Sequence, residues 1–344
     1  MVDARTQPWV LAWLAGAAIA CVVFPGVAES WHAWPFVVAL LLFGMPHGAA
    51  DWVVLARIRQ TAGPLGTLAA FVPYCGWIAL SAAVLFVAPV WGVLVFLALT
   101  VIHFGMADAH ALGRSLGGRV ESAWRYCTAV ARGSVLLGGV FWAAPIAAWA
   151  PFEALIVGYI GPGHGAIDPA TASVWGGVAA GVGVVLALVA AALRIGGGAS
   201  RLAVFVDLAE HGLTLALAVV APPLLAVGLY FIGVHAVRHT ARLGDEAWLD
   251  PERPLPPSRF GRLIRVHRLS LPLLLASLPL VALLAVPLPG TLAERVAIGS
   301  IGFYMLTTLP HHLLGLRLPS RETGAASAIR PTVNASVGPL ATTG

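Results

Sequence analysis

The chain has 344 residues, of which 59% are hydrophobic and only 10% are charged, and its formal net charge is +5. Soluble globular domains carry about 25% charged residues, so this composition excludes an ordinary soluble domain. The positive charge does not indicate nucleic-acid binding, because all twenty basic residues are arginines that stand mainly between apolar blocks, as orientation signals of membrane proteins do. The chain contains no lysine, which excludes Schiff-base chemistry.

The apolar blocks are about twenty residues long, enough to cross about 30 Å of hydrocarbon as an α-helix. They predict an all-α, polytopic transmembrane helical bundle of about ten spans, in a range of about eight to ten. The predicted spans are residues 9–29, 34–56, 66–88, 90–107, 124–149, 172–193, 203–221, 223–241, 269–287 and 293–314. The first is interpreted as a helix rather than a signal peptide, because no clear cleavage site follows its long apolar run.

The arginines alternate with the predicted spans. Arginines follow the second, fourth, sixth, eighth and tenth spans. The loops that follow the odd-numbered spans contain no arginine. By the positive-inside rule, both termini therefore lie in the cytoplasm. We expect a multi-pass protein of the bacterial inner membrane.

Two connections are longer than tight turns. Residues 151–170 contain an apolar patch and a Gly/Pro cluster, and predict an interfacial lid or a re-entrant segment. Residues 243–268 are predicted to form a polar cytoplasmic loop. Residues 1–320 are interpreted as one transmembrane domain, and residues 321–344 as a polar, disordered tail.

Histidines recur inside the predicted spans, at a similar depth in the cytoplasmic half of the bilayer. His235 and His239 are four residues apart, so one helix face presents two imidazoles that can chelate one ion. A single intramembrane histidine is often a hydrogen-bonded contact between helices. Several at one level are costly without a shared purpose, so the set predicts a metal site. Its members are His47, His103, His211, His235, His239, His311 and His312.

Carboxylates accompany these histidines. Asp51 follows His47 by four residues and Asp108 follows His103 by five, a spacing at which a carboxylate can orient an imidazole. A helix cap or an arginine partner is the alternative for either acid, and a proton pathway through these groups stays open. Arg238 is expected to extend to the cytoplasmic interface. The residues expected to support the ligands or the chemistry are Asp51, Asp108, His211 and His311.

Four motifs carry a family resemblance. GMPHGAADW, IHFGMAD, FIGVHAVRH and TLPHH, spread over about residues 40–315, resemble those of the Brp/Blh family of membrane-bound β-carotene 15,15′-dioxygenases. The resemblance implies a non-haem iron(II) enzyme that cleaves the central double bond of β-carotene with O2 to give two all-trans-retinal. The residues that match the family's proposed iron ligands are His47, His103, His235 and His239.

The resemblance also implies the partners of the protein. These are β-carotene or a related carotenoid, O2 and membrane lipid, and the retinal product is expected to pass to a rhodopsin. Side chains near the histidines can line a slot for the polyene, although ordinary helix packing is the simpler explanation for any one of them alone. They are Phe43, Trp52, Phe104, Tyr230, Phe231, Phe303 and Tyr304.

The residues by themselves leave other functions open. Imidazole suits iron, copper, zinc and nickel, so four histidines do not name the metal. Buried histidines and aspartates also suit a membrane transporter that couples transport to protons. A membrane haem or redox protein is a third class, although a close histidine pair on one helix fits axial haem ligation poorly. A di-iron membrane hydroxylase usually needs more histidine pairs than this chain offers.

Overall fold

The computed structural model describes residues 7–42, 44–61, 63–115 and 122–317. These residues form helices and no strand, which confirms the predicted all-α class. The α-helices are α1 (Gln7–Val23), α2 (Pro25–Ser30), α3 (Trp34–Leu41), α4 (Gly44–Ala49), α5 (Asp51–Ile58), α6 (Gly63–Val87), α7 (Pro89–Ser115), α8 (Ser122–Ala143), α9 (Pro145–Tyr159), α10 (Pro169–Gly196), α11 (Arg201–Val220), α12 (Pro223–Tyr230), α13 (Ala236–Gly244), α14 (Arg259–Ala285) and α15 (Leu292–Gly315). A π-helical segment, Phe231–His235, joins α12 to α13, and Ala247–Leu249 form a 3₁₀ turn.

Seven segments of the described chain are long and apolar enough to cross a membrane, or eight if the bent pair α8–α9 is one span. They are Trp34–Ile58, Leu65–Val87, Pro89–Ala109, Pro169–Gly196, Arg201–Val220, Pro223–Gly244 and Arg259–Ala285. The protein is therefore a polytopic helical membrane protein. The count of about ten spans and the cytoplasmic termini stay predictions: α1 is short, with an apolar part of Pro8–Val23, and α15 is not among the seven.

Two of the predicted spans are broken helices in the protein interior. The segment Trp34–Ile58 consists of α3, α4 and α5, and Pro223–Gly244 contains the π-helical segment. In their most apolar stretches 62% and 67% of the residues are buried, against 11–44% in the other five segments. Irregular backbone at membrane depth is tolerated where it is buried in protein or lines a water-filled cavity. The high burial of these two segments places them in the interior of the bundle.

The predicted fifth span, 124–149, is also interrupted. Helix α8 ends at Ala143 and α9 begins at Pro145, and the two axes are bent by 99°. Proline suits the first position of a helix because it has no N–H to leave unsatisfied. Helix α9 reaches Tyr159, so the first half of the predicted lid is helical and only its Gly/Pro-rich part is a connection, which ends where Asp168 caps α10.

The prediction of a polar loop over residues 243–268 was wrong in its second half. Helix α14 begins at Arg259, ten residues before the predicted span. The Ser258 hydroxyl accepts the Gly261 backbone N–H at 3.0 Å, a capping bond that starts the helix before its apolar part. Hydropathy cannot detect this polar first turn. The tail at 321–344 lies outside the described residues.

Glycines let α7 and α8 approach closely. A Cβ atom on Gly105 would lie 1.7 Å from the Ala129 carbonyl oxygen, and one on Gly133 would lie 2.2 Å from that of Val101. Small residues at such crossings are typical of membrane bundles. The close crossing brings the polar residues of both helices into one buried region.

Candidate metal centre

Five histidines bring their imidazole rings together in the protein interior. Eight of their ring pairs have centroids 4.8–6.2 Å apart. They come from α4, α7, the π-helical segment, α13 and α15, so four distant parts of the sequence contribute. We call them the imidazole cluster: His47, His103, His235, His239 and His311. The four residues predicted as ligands are all in it.

Three of these residues have the tightest arrangement. His47, His103 and His235 each offer a ring nitrogen within 4.8 Å of the other two, and His239 and His311 border this trio. Nitrogens that bind one ion at about 2.1 Å stand at most about 4.2 Å apart. Small side-chain movements are enough for the three to share an ion.

Unpartnered nitrogens make the cluster suited to a metal. At least one ring nitrogen of each of His235, His239 and His311 is buried and has no hydrogen-bond partner among the described residues. Burying a polar group without a partner costs free energy, and a metal ion offsets that cost for several imidazoles at once. The donor set is nitrogen-rich and suits iron, copper, zinc or nickel.

Asp51 contacts His311, a residue on the distant helix α15. His311 Nδ1–H donates to Asp51 Oδ2 at 2.7 Å, and the Tyr74 hydroxyl donates to the same oxygen at 2.8 Å. With its Nδ1 proton held in this way, His311 keeps its Nε2 lone pair for a ligand. The sequence spacing indicated a carboxylate–imidazole contact for Asp51, but it could not indicate this contact with His311, 260 residues away.

Asp108 belongs to a second polar group, not to the imidazole cluster. The Tyr230 hydroxyl donates to Asp108 Oδ2, and Arg238 Nη1 lies 3.5 Å from Oδ1. Arg132 Nη1 lies 3.9 Å from Oδ2. The expectation that Asp108 orients His103 was wrong for this reason, and the alternative of an arginine partner describes the contact.

The second group is a buried ion-pair network on α8, α11 and α13. Glu210 accepts hydrogen bonds from Arg132 and from both Nη atoms of Arg238. Asp207 accepts from Arg132 Nη2 at 2.5 Å. The prediction that Arg238 extends to the membrane interface was wrong, since only 3% of this side chain is exposed. Asp207 and Glu210 stand three residues apart within an apolar span, and this spacing is the sequence signal that could have indicated a buried arginine partner.

His211 lies in the same network and not against the other histidines. Its Nδ1–H donates to the Asp207 backbone carbonyl at 2.8 Å, and the Asp207 carboxylate is 3.7 Å from that nitrogen. Membrane depth alone placed His211 with the cluster. Its position around the helix turns it toward the arginines instead.

An apolar cavity of about 320 Å³ reaches the imidazole cluster. His47, His103 and His311 form part of its wall. Of the side chains predicted to line a polyene slot, Phe104, Phe231, Phe303 and Tyr304 line this cavity. Further aromatic residues that the sequence did not single out complete the lining: Phe36, Phe71, Tyr74, Phe96, Phe141 and Phe152.

The remaining predicted slot residues have other contacts. The Trp52 indole donates to the Leu269 carbonyl at 3.0 Å, and Trp52 is not part of the cavity wall. Tyr230 is buried and holds Asp108, also away from the wall. Phe43 lies outside the described residues.

The fold and the site define a polytopic membrane protein with a buried imidazole cluster beside an aromatic-lined apolar cavity. The chain belongs to the β-carotene 15,15′-dioxygenase family, whose sequence pattern matches residues 38–318. It is 31% identical over 316 residues to the probable β-carotene 15,15′-dioxygenase Blh of Halobacterium salinarum, an alignment that covers 88% of this chain and 89% of that relative. No solved structure matches the chain.

Family membership confirms the class of enzyme that the four motifs predicted. The protein is a carotenoid-cleaving dioxygenase, an oxidoreductase embedded in a membrane. The matched residues include all five members of the imidazole cluster and the whole cavity wall except Phe36. Helix α1 lies outside them.

Proposed function

We propose that the enzyme uses iron(II) and O2 to cleave the central 15,15′ double bond of β-carotene into two molecules of all-trans-retinal. The observation that carries this proposal is the juxtaposition of the imidazole cluster with an apolar, aromatic-lined cavity inside a membrane protein of this family. The balance of the reaction is simple: one C=C bond breaks, and each aldehyde receives one oxygen atom of O2.

The cluster provides the iron ligands. We assign His47, His103, His235 and His239 as ligands and add His311 as a fifth imidazole that borders the same space. When bound, iron(II) supplies the redox chemistry that O2 needs before it reacts with a closed-shell alkene. Neutral imidazoles leave the positive charge of the ion uncompensated, and Asp51 behind His311 is the carboxylate that partly offsets it.

The cavity wall holds the polyene and excludes water. Phe104 and Phe231 stack with ring centroids 5.8 Å apart and an angle of 12° between their planes, next to His235. Flat aromatic faces contact a flat conjugated chain over a large area. Such a wall fixes the position of the chain along the cavity, and that position decides which double bond lies beside the histidines.

The membrane location suits both substrate and product. A C40 hydrocarbon partitions into lipid, so a site inside the helical bundle receives it from the bilayer and not through water. Retinal leaves into the same medium, and the absence of lysine means that no Schiff base traps the aldehyde. We propose the bacterial inner membrane as the location and a rhodopsin as the acceptor of the product.

The test is expression in bacteria that accumulate β-carotene, with iron supplied. Loss of the orange colour together with retinal in the extract is the expected result. Retained colour with the protein present in the membrane would contradict the proposal. Other outcomes would support the transporter or the haem protein left open by the sequence: uptake of a solute coupled to pH, or a Soret band in the purified protein. The matched control for histidine variants is His164→Ala, at an exposed position outside the cluster.

A further inference from the structure

We propose that helix α1 positions the ligand His235, and that Trp13 is the residue through which it does so. This inference rests on the proposed function, because it takes His235 as a metal ligand. Helix α1 lies outside residues 38–318, which the family's sequence pattern matches, so that match gives it no role.

The segment that carries His235 has unusual backbone geometry. Residues Phe231–His235 are π-helical, and the Ala236 N–H bonds to the Phe231 carbonyl, five residues back. A π turn is wider than an α turn and is found mostly as a single turn inside an α-helix, frequently at a functional site. The π turn changes the rotation of α13 about the helix axis relative to α12. In a continuous α-helix the side chains of α13 would point in a different direction. The direction of His235 therefore depends on the π turn being kept.

Trp13 donates a hydrogen bond to the backbone just before this turn. Its Nε1–H donates to the Leu229 carbonyl at 3.1 Å, two residues before the π-helical segment. Where helical hydrogen bonds change from one register to another at membrane depth, carbonyls need donors that lipid cannot provide. The indole of α1 is such a donor, 216 residues away in sequence.

Gly233 lets the indole lie directly on the π turn. A Cβ atom at this position would lie 2.0 Å from Trp13 Nε1. Gly233 and His235 are two residues apart, so their side chains would point to roughly opposite sides of the helix. Trp13 thus supports the turn from the side away from the imidazole cluster.

The rest of α1 secures this contact. Val10 and Leu14 are buried in the same apolar cluster as Tyr230, Phe231 and Val234. Trp9 on the same helix is 66% exposed, so it does not share the role of Trp13. Trp13 and Trp9 lie on the same helix but differ in this contact. The same substitution at both positions therefore gives a test variant and its control.

Loss of the Trp13 hydrogen bond is expected to let the π turn relax toward α-helical bonding. A shift of one residue in helical register rotates a side chain by about 100°, which removes His235 from the other imidazoles. Contacts that orient a ligand in this way typically contribute 10–100-fold to metal affinity. Trp13 is therefore a positioning residue, and its replacement changes metal binding without touching the metal.

The experiment uses the purified full-length protein in detergent, with Co²⁺ as a spectroscopic probe. Trp13→Phe keeps the ring and removes the donor, and Trp9→Phe is the control. We expect Trp13→Phe to bind Co²⁺ about tenfold more weakly and with altered d–d absorption bands, while the melting temperature of the metal-free protein stays near that of the wild type. Trp9→Phe should match the wild type in all three measurements.

A second variant covers the case in which Trp13→Phe does not fold. Gly233→Ala keeps the indole but pushes it off the turn, and it should give the same weaker binding and the same altered spectrum. Wild-type Co²⁺ affinity and spectrum in whichever of the two variants folds would overturn the positioning role. Failure of the wild-type protein itself to bind Co²⁺ or iron would overturn the metal centre of the proposed function, and the two failures are thereby distinguished.

Discussion

Glu210 and Arg238 form a bidentate ion pair in the interior of a membrane protein. Arg238 Nη1 donates to Glu210 Oε1 at 2.6 Å and Nη2 donates to Oε2 at 2.8 Å, and the two residues are 0% and 3% exposed. Arg238 stands between His235 and His239 in the sequence. The pair therefore ties the backbone that carries two of the proposed ligands to α11, while the side chains of His235 and His239 lie in the separate imidazole cluster.

Glu210→Gln tests whether this pair holds the fold. The change leaves the charges of Arg238 and Arg132 less compensated, and removal of one partner of a buried pair typically costs about 3–5 kcal/mol. We expect a large fall in the free energy of unfolding, measured by denaturant titration in detergent. Glu153→Gln, at an exposed position on α9, is the control and should change it little. Equal stabilities of the two variants would show that the network contributes nothing.

If His235 and His239 are metal ligands, replacing either one should abolish cleavage of β-carotene while the protein still inserts into the membrane. His235→Ala and His239→Ala each remove one of the imidazoles that surround the ion, so both are expected to abolish bleaching and to lower bound iron by at least about tenfold. His164→Ala should bleach like the wild type. The measurements are retinal in the extract, iron per chain and the amount of protein in the membrane. Normal bleaching by either alanine variant would remove that residue from the ligand set.

Asp51 and Asp108 give a direct comparison between the sequence spacing and the folded contacts. Asp51→Asn weakens the support of His311, so metal affinity should fall about 10–100-fold. Asp108 contacts Tyr230 and arginines instead, so Asp108→Asn should lower stability more than metal affinity. Titration with Co²⁺ and thermal unfolding of both variants separate the two effects. The reverse pattern would restore the assignment of Asp108 to His103.

The contrast between these acids explains what the sequence could predict. The length of the apolar blocks identified α6, α7, α10 and α11, because each is one long apolar helix. It did not reveal the helix breaks within 34–56 and 223–241, because a hydropathy average extends over a π turn or a short kink. Distance from the nearest arginine predicted a depth in the membrane for each histidine. It could not give the direction in which a helix turns its side chains. His211 therefore shares the predicted depth but not the cluster.

Contacts between distant residues were the other limit. The carboxylate of Asp51 meets His311, 260 residues away, and Trp13 meets Leu229 across 216 residues. The spacing of residues along the sequence cannot indicate either contact, because only the packing of the bundle brings α15 and α1 to their partners. The four histidines proposed as ligands were singled out only because the motifs around them resemble those of a family.

The width of the cavity predicts substrate selectivity. Ala148 is buried in the wall beside Phe152 and Phe141, whereas its neighbour Ala147 is exposed. Ala148→Phe adds a ring inside the cavity, with an overpacking cost of about 1–3 kcal/mol. We expect the KM for β-carotene to rise, while a shorter apocarotenoid that does not extend to this part of the wall is cleaved at a rate near that of the wild type. Ala147→Phe should leave both substrates unaffected. If Ala148→Phe slows the short and the long substrate equally, the ring disturbs the imidazole cluster rather than the space for the polyene, and the cavity is not where the carotenoid lies.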